Sequence, residues 1–478
     1  MKKLLFLLFM LILSISVSSK NLKYHPKTKD ELKELIENES VYLGDIDTSA
    51  ITDMSYLFIR EKNKIDACGT TYEYITTKRT NFSGIGKWDT SNVTDMEGLF
   101  YKMKDFNEDI SAWNTSKVEN MSSMFEDADS FNRSLNNWDV SKVKTMKNMF
   151  RGAISFNQPL NKWNVSEVID MEEMFEAAYK FNQALNSWDV SNVKDMSYMF
   201  NAMLASSINL TNFNTANVTN MHSMFNYLNG SGMYSPLNLD LTMFDTSHVT
   251  DMSFMFAGAQ LTNLNLSSFN TSSVVDMSSM FSSVQPLTNL DLSNFDTSQV
   301  TTMHNMFYNM INLTGLNITS FNTSRVTNMV GMFADVKNLV SLDLFNFDTR
   351  NVTNMAGMFR GTEKLTSLNL SSFDTKKVVN MNLMFNKSMV DPVNGILDIS
   401  SFDTRSLKEA NFMFGNSMIK TIYASPSFVT TLLPSNTKLF LRNNNLQGGN
   451  GTQYSIMHTF KDYARIDVPG TPGYFTQK

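Results

Sequence analysis

The chain has 478 residues, of which 42% are hydrophobic and 18% charged, with a net charge of −6 and a single cysteine. That length allows a sizeable core, and one is needed, because a lone thiol leaves no intramolecular disulfide to stabilise an exported chain. The weak acidity, with no Lys/Arg block after the first residues, argues against nucleic acid or an acidic membrane surface as the main partner.

Residues 1–19 carry two lysines, an apolar run from Leu4 to Leu13 and then small residues. This is the pattern of a secretory signal peptide, and the run is too short to span a bilayer. No second long apolar segment follows, so the mature chain is expected outside the cytoplasm with no membrane span. Residues 20–45 read as a short helix with Leu32, Leu35 and Ile36 on one face and Thr28 or Asp30 as its cap. A stacked-repeat protein needs such an atypical end unit to cover its core.

From Ile46 onward one sentence is repeated. Residues 88–100 read WDTSNVTDMEGLF, and copies open at Trp113, Trp138, Trp163 and Trp188, then at Phe213, Phe244, Phe269, Phe295, Phe321, Phe347, Phe373 and Phe402. With a degenerate first copy at 46–58 there are 14 copies, each closing on Phe twelve residues after its opening residue. Most steps are 25 or 26 residues, which marks a solenoid. An insert, 59–81, containing Cys68 and Gly69, is read as a surface loop. A first sub-array, 46–225, is followed by a Gly/Ser/Pro-rich joint at 226–237, a second sub-array at 238–419 and a C-terminal cap module at 420–478.

In the second sub-array the segment before the opening Phe reads L-x-x-L-x-L-x-x-F, as at 261–269. Two-residue alternation puts the inner leucines on one face of a short strand, as in leucine-rich repeats. Val93, Met96, Leu99 and Phe100 then fall at helical spacing, so a short helix is expected in the second half of each unit. The fold class is therefore α/β: a leucine-rich-repeat-like solenoid of about 14 strand-turn-short helix units, with parallel stacked strands and a cap at each end.

The repeat absorbs most residues that suggest chemistry. Two methionine slots per unit sit at buried offsets and hold most of the 35 methionines, and all five tryptophans open a unit. The Asp or Asn after the opening aromatic could bind Ca²⁺ if carboxylates stacked. Asn and Asp alternate freely there, however, and a local capping hydrogen bond needs only the shared oxygen. The five histidines show no metal-ligand spacing, with His222 and His304 read as surface residues, and no phosphate-binding or nucleophile motif occurs. An enzyme would have to lie in 420–478, where Tyr454, His458, Asp462, Arg465 and Asp467 are polar enough to consider. A plain cap with a Gly-rich hairpin is the preferred reading. No catalytic residue, metal or cofactor is expected. The outward strand position, Asn265, Asp291, Asn317, Asp343 and Asn369, forms a ladder of small polar groups about 4.8 Å apart, suited to wet, extended contact with a protein or glycan.

These units closely resemble the BspA-like leucine-rich repeat surface proteins of bacteria, from about residue 24 onward. The front segment KYHPKTKDEL (23–32), the tail residues YARID (463–467) and PGYF (472–475) carry the resemblance as well. It implies a secreted or surface-exposed protein that mediates adhesion to a host or bacterial surface protein or glycan, without a catalytic residue to carry over. The alternative expectation is a self-associating surface-layer or cell-cell contact protein.

Overall fold

The computed structural model describes residues 22–64, 72–205, 208–230, 236–388 and 394–478. The signal-peptide reading of 1–19 and the thiol Cys68 lie outside them. The chain divides into two compact units, one of Met1–Val168 with Ala178–Gln183, the other of Ile169–Ala177 with Ala184–Lys478. In each unit the repeat is one coil of a parallel β-solenoid.

The coils are joined by backbone hydrogen bonds that run along the stacking axis. In the first unit Met96, Gly98, Phe100 and Lys102 donate their N–H groups to Asn120, Ser122, Met124 and Glu126 of the next coil, at 2.9, 2.8, 2.9 and 2.7 Å. Leu99, Tyr101 and Met103 instead donate within the coil, each to the residue three before it. Alternate N–H groups can point along the axis only if the chain turns into the left-handed region, and Gly98 (φ 55°) and Lys102 (φ 59°) do so. The pattern recurs in the second unit, for example at Ser279 (φ 56°) and Ser283 (φ 60°).

The short helix expected over residues 93–100 and their equivalents is therefore not formed; these residues make successive three-residue turns. The physical reason is coil spacing. The closing phenylalanines of adjacent coils stack with centroids 5.5 to 5.6 Å apart along Phe100, Phe125 and Phe150. An α-helix is about 10 Å across with its side chains and cannot be stacked at that interval. The expected buried face nevertheless holds, because turns that close every three residues direct Val93, Met96, Leu99 and Phe100 into the core, where all four are fully buried.

Three aromatic columns fill the core of the first unit. Trp88, Trp113 and Trp138 stack at 6.2 and 6.3 Å. Phe106, Phe131, Phe156 and Phe181 stack at 5.9 to 6.0 Å. The closing-Phe column packs against them, with Phe125 only 4.1 Å from Phe131. Each indole N–H donates to a carbonyl of the preceding coil, as Trp113 does to Ile85 (3.1 Å) and Trp138 to Ile110 (3.2 Å), so no polar atom of the ring is left unpaired in the core. In the second unit the closing-Phe column runs from Phe175 to Phe440, and the methionine slots beside it are buried.

The N-terminal helix α1 is Lys29–Glu37, capped by Thr28, whose hydroxyl accepts the Glu31 N–H (3.2 Å). Its apolar stripe buries Leu32 and Ile36 completely. Arg79 holds its C-terminal end: the guanidinium donates to the carbonyls of Ile36 (2.9 Å), Asn38 (3.0 Å) and Val41. A cation among carbonyls that the helix leaves free is favourable by both charge and geometry. The described ends of the insert, read as a loop, form an antiparallel hairpin of β1 (Ile59–Lys64) and β2 (Tyr72–Thr76).

The remaining strands belong to the second unit and are short: β3 (Leu237–Leu239), β4 (Leu261–Leu264), β5 (Asn289–Asp291), β6 (Gly315–Asn317), β7 (Ser341–Leu342), β8 (Ser367–Leu368), β9 (Ile396–Asp398), β10 (Thr421–Ala424) and β11 (Phe475–Gln477). They pair in parallel as β3–β4, β5–β6, β7–β8 and β9–β10–β11. Strand β11 is flanked on one side by β10 and on the other by residues 465–467, through the Phe475 N–H to Arg465 and the Asp467 N–H to Phe475. In the same module the buried Asp467 carboxylate accepts the N–H groups of Asn450 (2.8 Å) and Thr452 (3.0 Å) and the Thr452 hydroxyl (2.7 Å), which fixes the Gly-rich turn at 448–452.

Truncating Phe125, which touches Phe100, Phe131 and Phe150, should cost about 3–5 kcal/mol and lower the urea midpoint accordingly. Arg79→Ala should cost about 3 kcal/mol by orphaning several carbonyls, with Arg79→Lys recovering only part in the same assay. Acid provides a further check. Burial raises the Asp467 pKa, but hydrogen bonds from Thr452, Gly473 and Asn450 outweigh it and hold the carboxyl below its ordinary 3.8. Its stabilisation is thus complete above 3.8 and is lost as pH falls through the lower folded value. Asp467→Asn should be less stable at neutral pH and lose less on acidification than the parent chain.

Candidate functional site

What reaches the surface of the coils is largely one device, the Asx turn, in which a side-chain oxygen accepts the N–H two residues on. In the second unit it occurs three times in a single coil. Asn265 accepts from Ser267 (3.1 Å), Asn270 from Ser272 (3.1 Å) and Asp276 from Ser278 (2.7 Å). The Asp or Asn after the opening aromatic, weighed above as a possible Ca²⁺ ligand, makes this local bond at Asp89, Asp139, Asn214, Asp245 and Asp296 among others. Asp95 makes it as well, accepting from the Glu97 N–H (2.8 Å). Among the described residues no three His, Cys, Asp or Glu groups are gathered to hold a metal ion.

The five ladder residues sit at the end of, or just after, their strands. Asp291, Asn317, Asp343 and Asn369 accept from Ser293 (3.0 Å), Thr319 (3.3 Å), Phe345 (3.0 Å) and Ser371 (3.0 Å), as Asn265 does from Ser267. Asn317 is half-buried and the other four are exposed. One oxygen of each is thus committed to the turn. The backbone and hydroxyl of Ser293, with a smaller contribution from Asn317, hold the Asp291 carboxyl below the ordinary range despite slight desolvation. It is an acceptor at neutral pH. A second ladder, which the sequence reading did not single out, is made of threonines. Thr250, Thr301, Thr327 and Thr353 are exposed, and each donates its hydroxyl to the carbonyl of the preceding coil. Its signal is the Thr after the buried Val in the V-T-x-M words.

The first unit presents a different surface. Asn107, Asn132, Asn157 and Asn182 interlock: each side-chain oxygen accepts the backbone N–H of the next, all at 3.0 Å. The Asn136 side-chain amide donates to the Asn161 side-chain oxygen (2.9 Å). Around the insert, Tyr56, Tyr74 and Tyr101 form an aromatic cluster with centroids 5.1 to 6.1 Å apart. Burial, with Glu97 accepting the hydroxyl at 3.1 Å, pushes the Tyr56 pKa far up, so it acts as a donor.

His222, read as a surface residue, is half-buried in a polar chain instead. Its Nε2 lies 2.8 Å from the Tyr198 hydroxyl and its Nδ1 2.5 Å from Ser253 Oγ. The Ser253 hydroxyl donates to Asp251 (2.5 Å), away from the imidazole, so His222 does not activate it as a base activates a nucleophile. His304, also half-buried, has its pKa lowered by desolvation, against the pull of Asp276. In the C-terminal module the polar residues are engaged separately. Tyr454 accepts from the Arg442 N–H (2.8 Å), His458 stacks on Tyr463 (4.3 Å) and Arg465 donates to Pro472 (2.9 Å).

Because the Asx oxygen is shared by Asn and Asp, Asp343→Asn should leave stability within about 0.5 kcal/mol. Asp343→Ala should cost about 1 kcal/mol, read as a fall in the urea midpoint.

No helix among the described residues is long and apolar enough to cross a membrane. No curated protein matches the chain. Among solved structures, a chain described as "Crystal structure of TLR13-ssRNA13 complex" is 11% identical, with 84% of each chain covered and a TM-score of 0.15, too low for any argument from its ligand or shape. A family model matches four times, over residues 70–183, 159–231, 229–341 and 309–422, which together take in most of the chain. The protein belongs to the family described as "Mycoplasma protein of unknown function, DUF285".

Proposed function

We propose that the protein is a secreted or surface-exposed adhesin of BspA-like type, which binds a host or bacterial surface protein or glycan along an extended face of its coils. The observation that carries this reading is the division of labour in the repeat. Trp, Met and Phe are consumed by the core, while small polar side chains are held outward at fixed intervals by Asx turns. Such a face offers many wet contacts and few deep pockets, which suits long or repetitive partners. The module at 420–478 acts in this reading as the cap, with Tyr463 and Asp467 of YARID and Phe475 of PGYF in its fabric.

The self-associating alternative draws less support from the geometry. Open strand edges would drive end-to-end stacking. At one end Lys23 and Tyr24 pair with the first coil through Asp45 and Asp47, and at the other β11 is flanked on both sides. Antibody labelling of intact cells, together with binding of the mature chain to matrix proteins, glycans and bacterial cells, tests the proposal. Surface or supernatant signal with saturable binding is expected. A purely cytoplasmic signal, or clean negatives against all three classes, would defeat it.

A further inference from the structure

Among the described residues strand pairing breaks between β8 and β9, as it does between β4 and β5 and between β6 and β7, and β9 pairs with β10. A notch of about 420 Å³ lies at the β8–β9 break, with Asn369, Ser371, Asp398, Ser400 and Lys478 in its lining. Asn369 and Asp398 occupy the same slot of successive coils, four residues before Phe373 and Phe402, and each holds its Asx turn through Ser371 and Ser400 (both 3.0 Å). In the β5–β6 pair the matching Asp291 and Asn317 are register partners. Here Asp398 is instead bonded to the Lys478 ammonium, and Asn369 lines the gap.

One neighbour of the notch breaks the pattern of its slot. Phe345 and Ser371 hold the same slot of successive coils, two residues before Phe347 and Phe373, and their strands pair in register at Leu342↔Leu368. Equivalent positions hold Ser267, Ser293, Thr319, Ser371 and Ser400, yet Phe345 is 75% exposed. An exposed aromatic ring next to a polar recess of carboxamide, hydroxyls and a carboxylate is the composition that receives a sugar. The ring accepts the apolar C–H face, and the recess pairs the hydroxyls, which are both donors and acceptors. The ammonium of Lys478 is paired with the Asp398 carboxylate and is not a free cation for an anionic residue.

We infer that this notch, with Phe345, is a subsite for a neutral sugar ring of a surface glycan. The inference rests on the adhesin reading and names its ligand class. Two variants test it without disturbing the coil, because each installs a residue already found at that slot: Phe345→Ser, and Asn369→Asp, which keeps the turn and removes the amide donor. The full chain and both variants are applied to an array of neutral hexose oligosaccharides and to intact cells, with thermal unfolding as the control for folding. Binding of the parent chain to neutral oligosaccharides is expected, weakened about tenfold by either change with unfolding unaltered. Neutral-glycan binding unaffected by both variants would overturn the site, and preference for sialylated or sulfated glycans would overturn the ligand class. Cell binding without any glycan binding would sink the inference while the adhesin reading stands; loss of both would sink the two together.

Discussion

Each coil is fastened to the next by N–H groups that point along the stacking axis, and most other features answer to that bond. Directing alternate amides along the axis places two residues per coil in the left-handed region, as at Ser123 (φ 54°) and Asp127 (φ 55°). For residues other than glycine this costs about 1–2 kcal/mol each. Four axial hydrogen bonds at about 1 kcal/mol net, with aromatic stacks adding about 0.5–1.5 kcal/mol, offset that cost only when a neighbouring coil is present. Stability is therefore shared between neighbours, and an uncovered terminal coil is the weak point. The helix α1 with Arg79 at one end, and β11 with the Asp467 turn at the other, answer that weakness.

The repeat, its buried slots and its capping turns were legible in the sequence, since a residue such as Met96 or Phe100 recurs only where a fixed core site demands it. The helix was misread because reverse turns in succession bury the same offsets as one helical face. Periodicity alone does not separate the two. A second signal was present in the turn positions, where Gly98, Asn148, Asn305, Gly331 and Gly357 recur at one slot and Gly152, Gly258 and Gly361 at another. Glycine and asparagine so placed disfavour a helix interior and favour positive φ. The coil interval decides between the readings, and it is a property of the stack that no single unit contains.

The ladder from Asn265 to Asn369 was legible as a surface, though not for what its oxygens do. Each Asx oxygen serves the fold first, which explains why Asn and Asp interchange and why the ladder by itself does not choose a partner. Recognition has to come from residues that depart from the repeat without a structural reason. Two tyrosines at the turn positions have such a reason. The Tyr56 ring lies where Gly98 of the next coil has no Cβ, and one added there would meet it at 2.2 Å. The Tyr227 ring is housed over Gly258 in the same manner, at 2.8 Å. In both cases the following coil has been emptied to receive the ring, so the aromatic belongs to the stack. Phe345 has no such berth: the next coil keeps an ordinary Ser371 beside it, and the ring stays in solvent. An aromatic that the fold neither needs nor accommodates, at the rim of a polar gap, is the departure with the strongest claim to be read as a contact.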